Sequence, residues 1–138
     1  MKLLSIAIPC YNSEAYMEHC INTLLTGGDE VEIIIVDDGS QKDRTPEIAD
    51  EYERKYPGIC HAVHQENGGH GQAVNTGLKN ATGVFFKVVD SDDWVTPDAT
   101  RMMVSAAEHS SCDMVITHFF RVNHDKIRRK GHIKEYEV

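Results

Sequence analysis

The chain has 138 residues, 41% of them hydrophobic, which is enough for one globular domain with its own core. Its formal net charge is −8, and the first 120 residues carry 8 of the 14 Lys and Arg but 19 of the 22 Asp and Glu. This acidic body would repel nucleic-acid phosphates, which argues against a DNA- or RNA-binding protein.

The cysteines and the start of the chain bear on its compartment. The four cysteines lack the paired spacing of zinc sites, so we expect reduced thiols rather than a zinc site or a disulfide framework. The apolar run at residues 3–8 is too short for a signal peptide, and Pro9 interrupts it. We therefore expect a cytoplasmic protein, which could act at the inner face of the membrane.

Apolar runs of strand length alternate along the chain with segments of helical periodicity. We predict strands at residues 3–8, 31–36, 59–64, 84–89 and 113–120, and helices that start near Asn12 or Ser13, near Thr45, after Gly71 and near Thr96. The side chain of Asn12 or Ser13 would cap the first of these helices. Strands that alternate with helices form right-handed βαβ units. The pattern therefore predicts a Rossmann-like α/β fold, with a mostly parallel sheet and helices on both faces.

Two of the predicted strands end in acidic clusters. Asp37 and Asp38 follow the second strand, and Asp90, Asp92 and Asp93 follow the fourth. If the fourth strand lies beside the first, both clusters open at the edge where ligands bind in α/β sheets. Three adjacent carboxylates suit a hard cation such as Mg²⁺ or Mn²⁺, although an acidic turn before a helix would give the same pattern.

The glycine patterns of the commonest nucleotide-binding folds are absent. The turn after the first strand is Pro9-Cys10-Tyr11-Asn12 and contains no glycine, and no Walker lysine occurs. Paired acids instead suit a nucleoside-diphosphate pocket. One cluster would hold a metal against the diphosphate, and the other would accept hydrogen bonds from a base or a ribose.

Four motifs, in order, cover residues 5 to about 98 and resemble those of the family 2 glycosyltransferases. They are Ile6-Ala7-Ile8-Pro9-Cys10-Tyr11-Asn12, Ile34-Ile35-Val36-Asp37-Asp38-Gly39-Ser40, Asn67-x-Gly69-x-x-x-Ala73-Val74-Asn75-x-Gly77 and Val89-Asp90-Ser91-Asp92-Asp93. The resemblance implies the GT-A fold and an inverting, metal-assisted enzyme. Such an enzyme moves a sugar from a nucleoside-diphosphate sugar, with UDP the first candidate, to a saccharide or lipid-linked acceptor.

The resemblance also implies roles for residues after the first two strands. Pro9, Tyr11 and Asn12 would belong to the nucleotide site, with the ring of Tyr11 against the base. Asp38 would accept the base N–H, and Asp37 would help to hold the loop. Two alternatives stay open: Tyr11 could be core packing, and Asp37 could merely cap its turn.

The other implied residues belong to the third and fourth motifs. Asp90 would lie by the ribose with Ser91 beside it, and Asp92 would coordinate Mg²⁺ or Mn²⁺. The loop and helix that flank the nucleotide would be shaped by Asn67, Gly69 and Asn75, although Gly69 could serve only backbone clearance.

Two departures from the family pattern concern phosphate binding and catalysis. The family commonly has Arg where this chain has Val74, so a cation that could face the diphosphate is missing. Direct displacement needs a general base, which the family carries in its second half. Glu135 and Glu137 do not match its motif, so we expect the base beyond Val138. The chain would then be an N-terminal, donor-binding portion, inactive alone.

The end of the chain differs from the rest in charge. Residues 121–138 carry six Lys and Arg against three Asp and Glu. We therefore divide the chain into an α/β half-domain at 1–120 and a basic tail at 121–138, which would lead into the acceptor half. We predict a hairpin in the tail that turns at Lys130-Gly131. The tail could touch anionic lipid, although a solvated hairpin is the simpler interpretation.

Two other functional classes fit parts of the pattern. A receiver-like signalling domain also gathers acids at strand ends, but its acids follow the first and third strands rather than the second and fourth. A non-catalytic nucleotide-binding module would retain the paired acids and would need no general base.

Overall fold

The computed structural model describes residues 1–123 and 126–131. A 3-10 helix at Leu25–Glu30 precedes the second strand. The other elements are β1 (Leu4–Cys10), α1 (Met17–Leu24), β2 (Val31–Asp38), α2 (Thr45–Lys55), β3 (Cys60–Gln65), α3 (His70–Asn80), β4 (Phe85–Val88), α4 (Ala99–His109), β5 (Phe119–Asn123) and β6 (Lys126–Gly131).

The first four strands form one parallel sheet in the order β3-β2-β1-β4. β1 pairs with β2 from Leu4 opposite Val31 to Cys10 opposite Asp37, and with β4 from Leu4 to Ala7. The structure confirms that β4 lies beside β1. The carboxyl ends of β2 and β4 therefore flank the end of β1 at one edge of the sheet.

Helices cover both faces of this sheet, as the sequence predicted. On one face Ile6 and Ile8 of β1 and Ile33 and Ile35 of β2 pack with α1, α2 and α4. These helices contribute Ile21, Ile48 and Val104 to the main core. On the other face Ile34 and Val36 of β2 pack with α3. Because β2 is buried on both faces, its sequence is a continuous apolar run rather than an alternating one.

α3 packs unusually close to the central strand. A Cβ atom at Gly77 would lie 2.4 Å from the Cβ of Ala7 in β1. Real Cβ atoms do not approach each other that closely, so the helix can lie here only because residue 77 is glycine. This contact fixes the distance of α3, and of the loop before it, from the sheet.

The prediction of a fifth strand at 113–120 is wrong. Residues 113–118 form no strand, and Phe119 begins a strand that pairs antiparallel with β6 instead. The apolar run has the composition of a strand, but a strand also needs a hydrogen-bonding partner. The side chain of Met114 is accordingly 72% exposed.

The hairpin near the end of the chain is present, but its predicted turn is wrong. Lys130 and Gly131 belong to β6, and Gly131 pairs with Phe119 at the end of the ladder. Residues 124–125 and 132–138, with Glu135 and Glu137, lie outside the described residues. The division of the chain at residue 120 stays a prediction.

The predicted side-chain cap of α1 is also wrong. The helix starts at Met17 without a side-chain cap. The hydroxyl of Ser13 instead accepts a hydrogen bond from the Tyr11 N–H at 3.0 Å and contacts the hydroxyl of Ser91 at 2.8 Å. A contact distant in sequence therefore takes the side chain that would have capped the helix.

The cysteines and the helices bear on two further expectations. All four cysteines are free thiols, and Cys10, Cys20 and Cys60 are buried while Cys112 is exposed. Among the described residues, no helix is long and apolar enough to cross a membrane.

Candidate functional site

Five carboxylates lie at the carboxyl ends of β2 and β4, two in the last residues of β2 and three in the loop after β4. We call this region the acidic edge and define it by Asp37, Asp38, Asp90, Asp92 and Asp93. The β2 pair is buried, whereas the three carboxylates after β4 are exposed. The two groups therefore have different surroundings and can do different chemistry.

Three hydrogen-bond donors contact the Asp38 carboxylate and stabilise its ionised form. Its side chain is 3% exposed. Oδ1 accepts from Gln65 Nε2 and from the Gly68 N–H, both at 2.8 Å, and Oδ2 accepts from the Gly69 N–H at 3.0 Å. Burial alone would raise the pKa of this carboxyl, but the three donors lower it below its usual value. One acceptor position on Oδ2 is left for a further donor.

The loop before α3 packs directly on the end of β2. Gly39 has φ 73°, and a Cβ there would lie 2.6 Å from the backbone nitrogen of Asn67. The Asn67 side chain donates from Nδ2 to the backbone oxygen of Asp38 at 3.1 Å. Asn67 and Gly39 therefore shape this edge of the fold through backbone contacts.

Asp37 fastens two loops to each other. Its Oδ1 accepts from the Ser40 N–H at 3.0 Å, so it caps the turn after β2. The Ser40 hydroxyl then accepts from the Asn12 N–H at 2.9 Å in the loop after β1. Asn12 has φ 47°, a conformation that asparagine tolerates better than most residues. Asp37 therefore does more than cap its turn, because its Oδ2 also contacts His64 at 2.8 Å.

The loop after β1 presents an aromatic ring to solvent. Tyr11 is 54% exposed, so the alternative that it is core packing is wrong.

Pro9 is buried in β1 and pairs with Val36, beyond the four residues at which β4 pairs with β1. Its missing N–H therefore costs the β1–β4 ladder nothing.

The three acids after β4 form a tight group. One carboxylate oxygen from each of Asp90, Asp92 and Asp93 lies within 4.8 Å of the others. Partial loss of hydration, and then repulsion by Asp92 and Asp90, raises the pKa of Asp93 above its usual value. A set of hard oxygen donors that repel one another fits a Mg²⁺ or Mn²⁺ ion, which would remove the repulsion. The family resemblance implied Asp92 alone as the metal ligand, whereas the sequence pattern grouped all three acids, and the structure places all three carboxylates close enough to share a cation.

Two bridges join the acidic groups. His70, the residue after Gly69, places Nε2 2.9 Å from Asp90 Oδ1, so the loop that donates to Asp38 also reaches the β4 cluster. The second bridge is indirect: Asp37 and Ser40 hold the loop after β1 at Asn12, and the hydroxyl of the next residue, Ser13, contacts the Ser91 hydroxyl in the loop after β4. The prediction that both clusters open at the same edge is therefore confirmed.

Asn75, which the sequence predicted for the site, is not connected to it in the described part of the structure, and Gln65, which supports the site, was not predicted. Asn75 lies exposed on α3, and among the described residues no hydrogen bond joins it to the other predicted residues. Gln65, which holds Asp38, was not predicted, and it in turn accepts a hydrogen bond from the Thr76 hydroxyl. The pairing of β2 with β3 places His64 and Gln65 opposite Asp37 and Asp38. A predicted register would have found both.

Comparisons with known proteins agree with this geometry. The family model described as Glycosyl transferase family 2 matches residues 5–137. An uncharacterised glycosyltransferase of Bacillus subtilis, EpsJ, is 38% identical over 125 residues, which are 90% of this chain and 36% of EpsJ. The chain therefore spans about a third of the length of this relative.

Solved structures share the fold. The crystal structure of residues 1–349 of TarS from Staphylococcus aureus, in complex with UDP-GlcNAc, superposes with a TM-score of 0.68 and 34% identity. The match covers 79% of this chain and 32% of that chain. The mannosyltransferase PcManGT from Pyrobaculum calidifontis, in complex with GDP-Man and Mn²⁺, superposes with a TM-score of 0.64 and 25% identity. This match covers 75% of this chain and 32% of the PcManGT chain.

Proposed function

The chain belongs to glycosyl transferase family 2, and we propose that it is the part of such an enzyme that binds a nucleoside-diphosphate sugar. The observation that carries this proposal is the joining of the two acidic groups by two consecutive residues at the start of α3. Gly69 donates to Asp38, and His70 contacts Asp90. One ligand that spans both groups would meet a carboxylate for its base at one end and a candidate metal site at the other. This membership removes the receiver-like alternative.

The base would be recognised through Asp38. Its carboxylate is ionised, held in place by three donors and left with one acceptor position on Oδ2. The imide N–H of uracil is a donor that fits this position. The exposed ring of Tyr11 would stack on the base, as aromatic side chains do on nucleobases. UDP is our first candidate because TarS is solved with UDP-GlcNAc, although PcManGT is solved with GDP-Man.

The diphosphate would lie against the β4 cluster. Asp92, with Asp90 and Asp93, would hold Mg²⁺ or Mn²⁺, and Asp90 and Ser91 would lie near the ribose. A divalent cation, when bound, offsets the charge of the diphosphate, both in the bound donor and as the leaving group departs. Such help matters here because Val74 stands where the family commonly carries Arg. The N–H groups at the start of α3 would add to the positive potential at this position.

The sugar transfer itself is proposed for the whole protein. We propose an inverting displacement onto a saccharide or lipid-linked acceptor, with the general base in a part of the protein outside these 138 residues. On this view the chain alone binds the donor without transferring the sugar. We also propose that the protein works in the cytoplasm at the inner face of the membrane, where the basic tail would contact anionic lipid.

Calorimetry with UDP-GlcNAc tests the donor site. We expect binding in the presence of Mn²⁺ to be at least about tenfold tighter than in EDTA. Asp92→Asn should lose the Mn²⁺-dependent gain, whereas Asp38→Asn should weaken binding with and without Mn²⁺, because the amide presents N–H groups that repel the imide donor. Asp29→Asn, an exposed acid at the other edge of the sheet, is the matched control and should bind like the parent chain.

The outcomes separate the parts of the proposal. Equal affinity with Mn²⁺ and with EDTA would overturn the metal assignment but leave the nucleotide site. No binding of UDP-GlcNAc or GDP-Man under either condition would overturn the donor site itself. Tighter binding of GDP-Man than of UDP-GlcNAc would replace uracil by guanine in the assignment of the base.

A further inference from the structure

His64 lies between two carboxylates at the end of β3. Its Nδ1 is 2.8 Å from Asp37 Oδ2, and its Nε2 is 2.8 Å from Asp50 Oδ1. Asp37 comes from β2 and is buried, whereas Asp50 comes from α2 and is half exposed. The imidazole thus ties a strand and a helix to each other beside the candidate site.

The two contacts of His64 depend on whether its imidazole is protonated. Ionised carboxylates only accept hydrogen bonds, and a neutral imidazole has one N–H group to give. Both 2.8 Å contacts can therefore be hydrogen bonds only when His64 is an imidazolium. The hydrogen bond to Asp37, and then the one to Asp50, raises the pKa of His64 above its ordinary value, while burial opposes the shift.

Two lines of contact lead from His64 into the nucleotide site. One runs through Asp37 to the Ser40 N–H, and from the Ser40 hydroxyl to the Asn12 N–H in the loop that carries Tyr11. The other is the chain itself, since the next residue, Gln65, donates to Asp38. A change in the contacts of His64 would therefore alter the positions of residues on both sides of the proposed base pocket.

We propose that His64, as an imidazolium, is a positioning residue that holds the loops of the nucleotide site and makes donor binding depend on pH. This inference rests on the proposed function. When His64 loses its proton, one of its two carboxylates loses its donor, and the loop after β2 is held less firmly. Donor affinity should then fall as the pH rises through the pKa of His64.

The charged groups that face the imidazole are Asp37 and Asp50, one from each element packed against it. His61, on the same strand, provides a matched control. Its side chain is 42% exposed, against 41% for His64, but it faces Glu32 at 3.8 Å. The two histidines are three positions apart in the strand, so they lie on opposite faces of it.

The test is the affinity for UDP-GlcNAc with Mg²⁺, measured by calorimetry from about pH 6 to about pH 8.5. The nucleotide sugar is used because its diphosphate carries no group that titrates in this range. We expect the parent chain and His61→Gln to lose about three- to tenfold in affinity across the range. His64→Gln should bind weakly at every pH, with a smaller change. The readout is the difference in pH dependence between these three proteins, which differ only at residues 61 and 64.

A second variant covers the case in which His64→Gln folds poorly. Asp50→Asn removes one carboxylate from the imidazole at an exposed position, so it should shift the midpoint of the affinity change to lower pH. The pKa of His64, followed by NMR of its imidazole, should move down in this variant and move up when UDP-GlcNAc binds the parent chain.

Three results would overturn the inference. Measurable binding that changes with pH equally in the parent chain and in His64→Gln would overturn it and leave the proposed function intact. An unchanged midpoint in Asp50→Asn, with a shifted His64 pKa, would have the same meaning. No binding of the nucleotide sugar at any pH would overturn the inference and the proposed function together.

Discussion

The backbone N–H of Gly69 donates to Asp38 Oδ2 at 3.0 Å, and this contact connects the end of β2 to the start of α3. Gly69 can place its N–H there because it has φ 92° and ψ 171°. Residues other than glycine rarely adopt this conformation. The carboxylate that we assign to the base is therefore held in place by a backbone conformation that only glycine provides cheaply.

Gly69→Ala should weaken binding of UDP-GlcNAc by about tenfold, because strain of about 1–3 kcal/mol would displace the N–H from Asp38. Calorimetry in the presence of Mn²⁺ measures the effect. Gly71→Ala is the control, since Gly71 lies in α3 with open space around its Cβ position and an ordinary φ. Equal losses in the two variants would mean that the Gly69 conformation does not support the site.

Tyr11→Ala should weaken the binding of UDP-GlcNAc by about 1–3 kcal/mol through the loss of stacking, while Tyr11→Phe should bind nearly as well as the parent. The ring is exposed, so neither change should lower the free energy of unfolding by more than about 0.5 kcal/mol. Tyr16→Ala, which removes an exposed ring from the same loop, is the control. A Tyr11→Ala variant that binds like Tyr16→Ala would place the base elsewhere.

Gly77→Ala should lower the free energy of unfolding by about 1–3 kcal/mol, although alanine favours helices. The added methyl would lie 2.4 Å from the Cβ of Ala7 and would push α3 away from the sheet. Urea denaturation gives the comparison with Gly71→Ala in the same helix, which should be unchanged or stabilised. A stable Gly77→Ala variant would show that α3 can move outward without cost.

Glu32 should make the fold sensitive to acid. It is buried at the edge of the sheet opposite the acidic edge, where it accepts hydrogen bonds from the Ser5 hydroxyl and the Thr82 N–H at 2.6 Å each. Burial opposes ionisation, but these donors outweigh it and lower the pKa of Glu32. A carboxyl whose pKa is lower in the folded state stabilises the fold above its unfolded pKa of about 4.3.

The stability from Glu32 should therefore be lost as the pH falls below about 4.3 and through the folded pKa. At neutral pH, Glu32→Gln should cost about 1–3 kcal/mol of unfolding free energy, and the cost should shrink in acid. Urea denaturation at several pH values measures this, with the exposed Glu53→Gln as control. A cost of Glu32→Gln that does not vary with pH would contradict the explanation.

The parts of the site that depend on long apolar strands could be predicted from the sequence. Asp37 and Asp38 end a buried strand and the β4 acids follow an apolar, partly buried one, and parallel strands bring such ends to one edge. The position of β4 beside β1 was assumed on the same grounds and is confirmed. These features follow from hydrophobic patterns that the fold has little freedom to alter.

The features that failed depend on contacts between distant residues. Ser13 does not cap α1, since Tyr11 and Ser91 use its hydroxyl. The support of Asp38 by Gln65 depends on the register of β2 against β3, and a weakly apolar strand such as β3 does not reveal its register. Residues 113–118 have the composition of a strand, but local composition does not supply the neighbour that a strand needs.

Alkylation of a buried thiol can report local opening of the fold. Cys20 lies beneath the β4 acids, with Sγ 3.5 Å from the Asp90 carbonyl oxygen, and burial raises its pKa to about 12. Only thiolates react readily with alkylating reagents, so Cys20 stays unmodified while that region is closed, whereas Cys112 is exposed to reagent from the start. The rate at which Cys20 is alkylated therefore reports how often the structure around Cys20, beneath the acidic edge, opens locally.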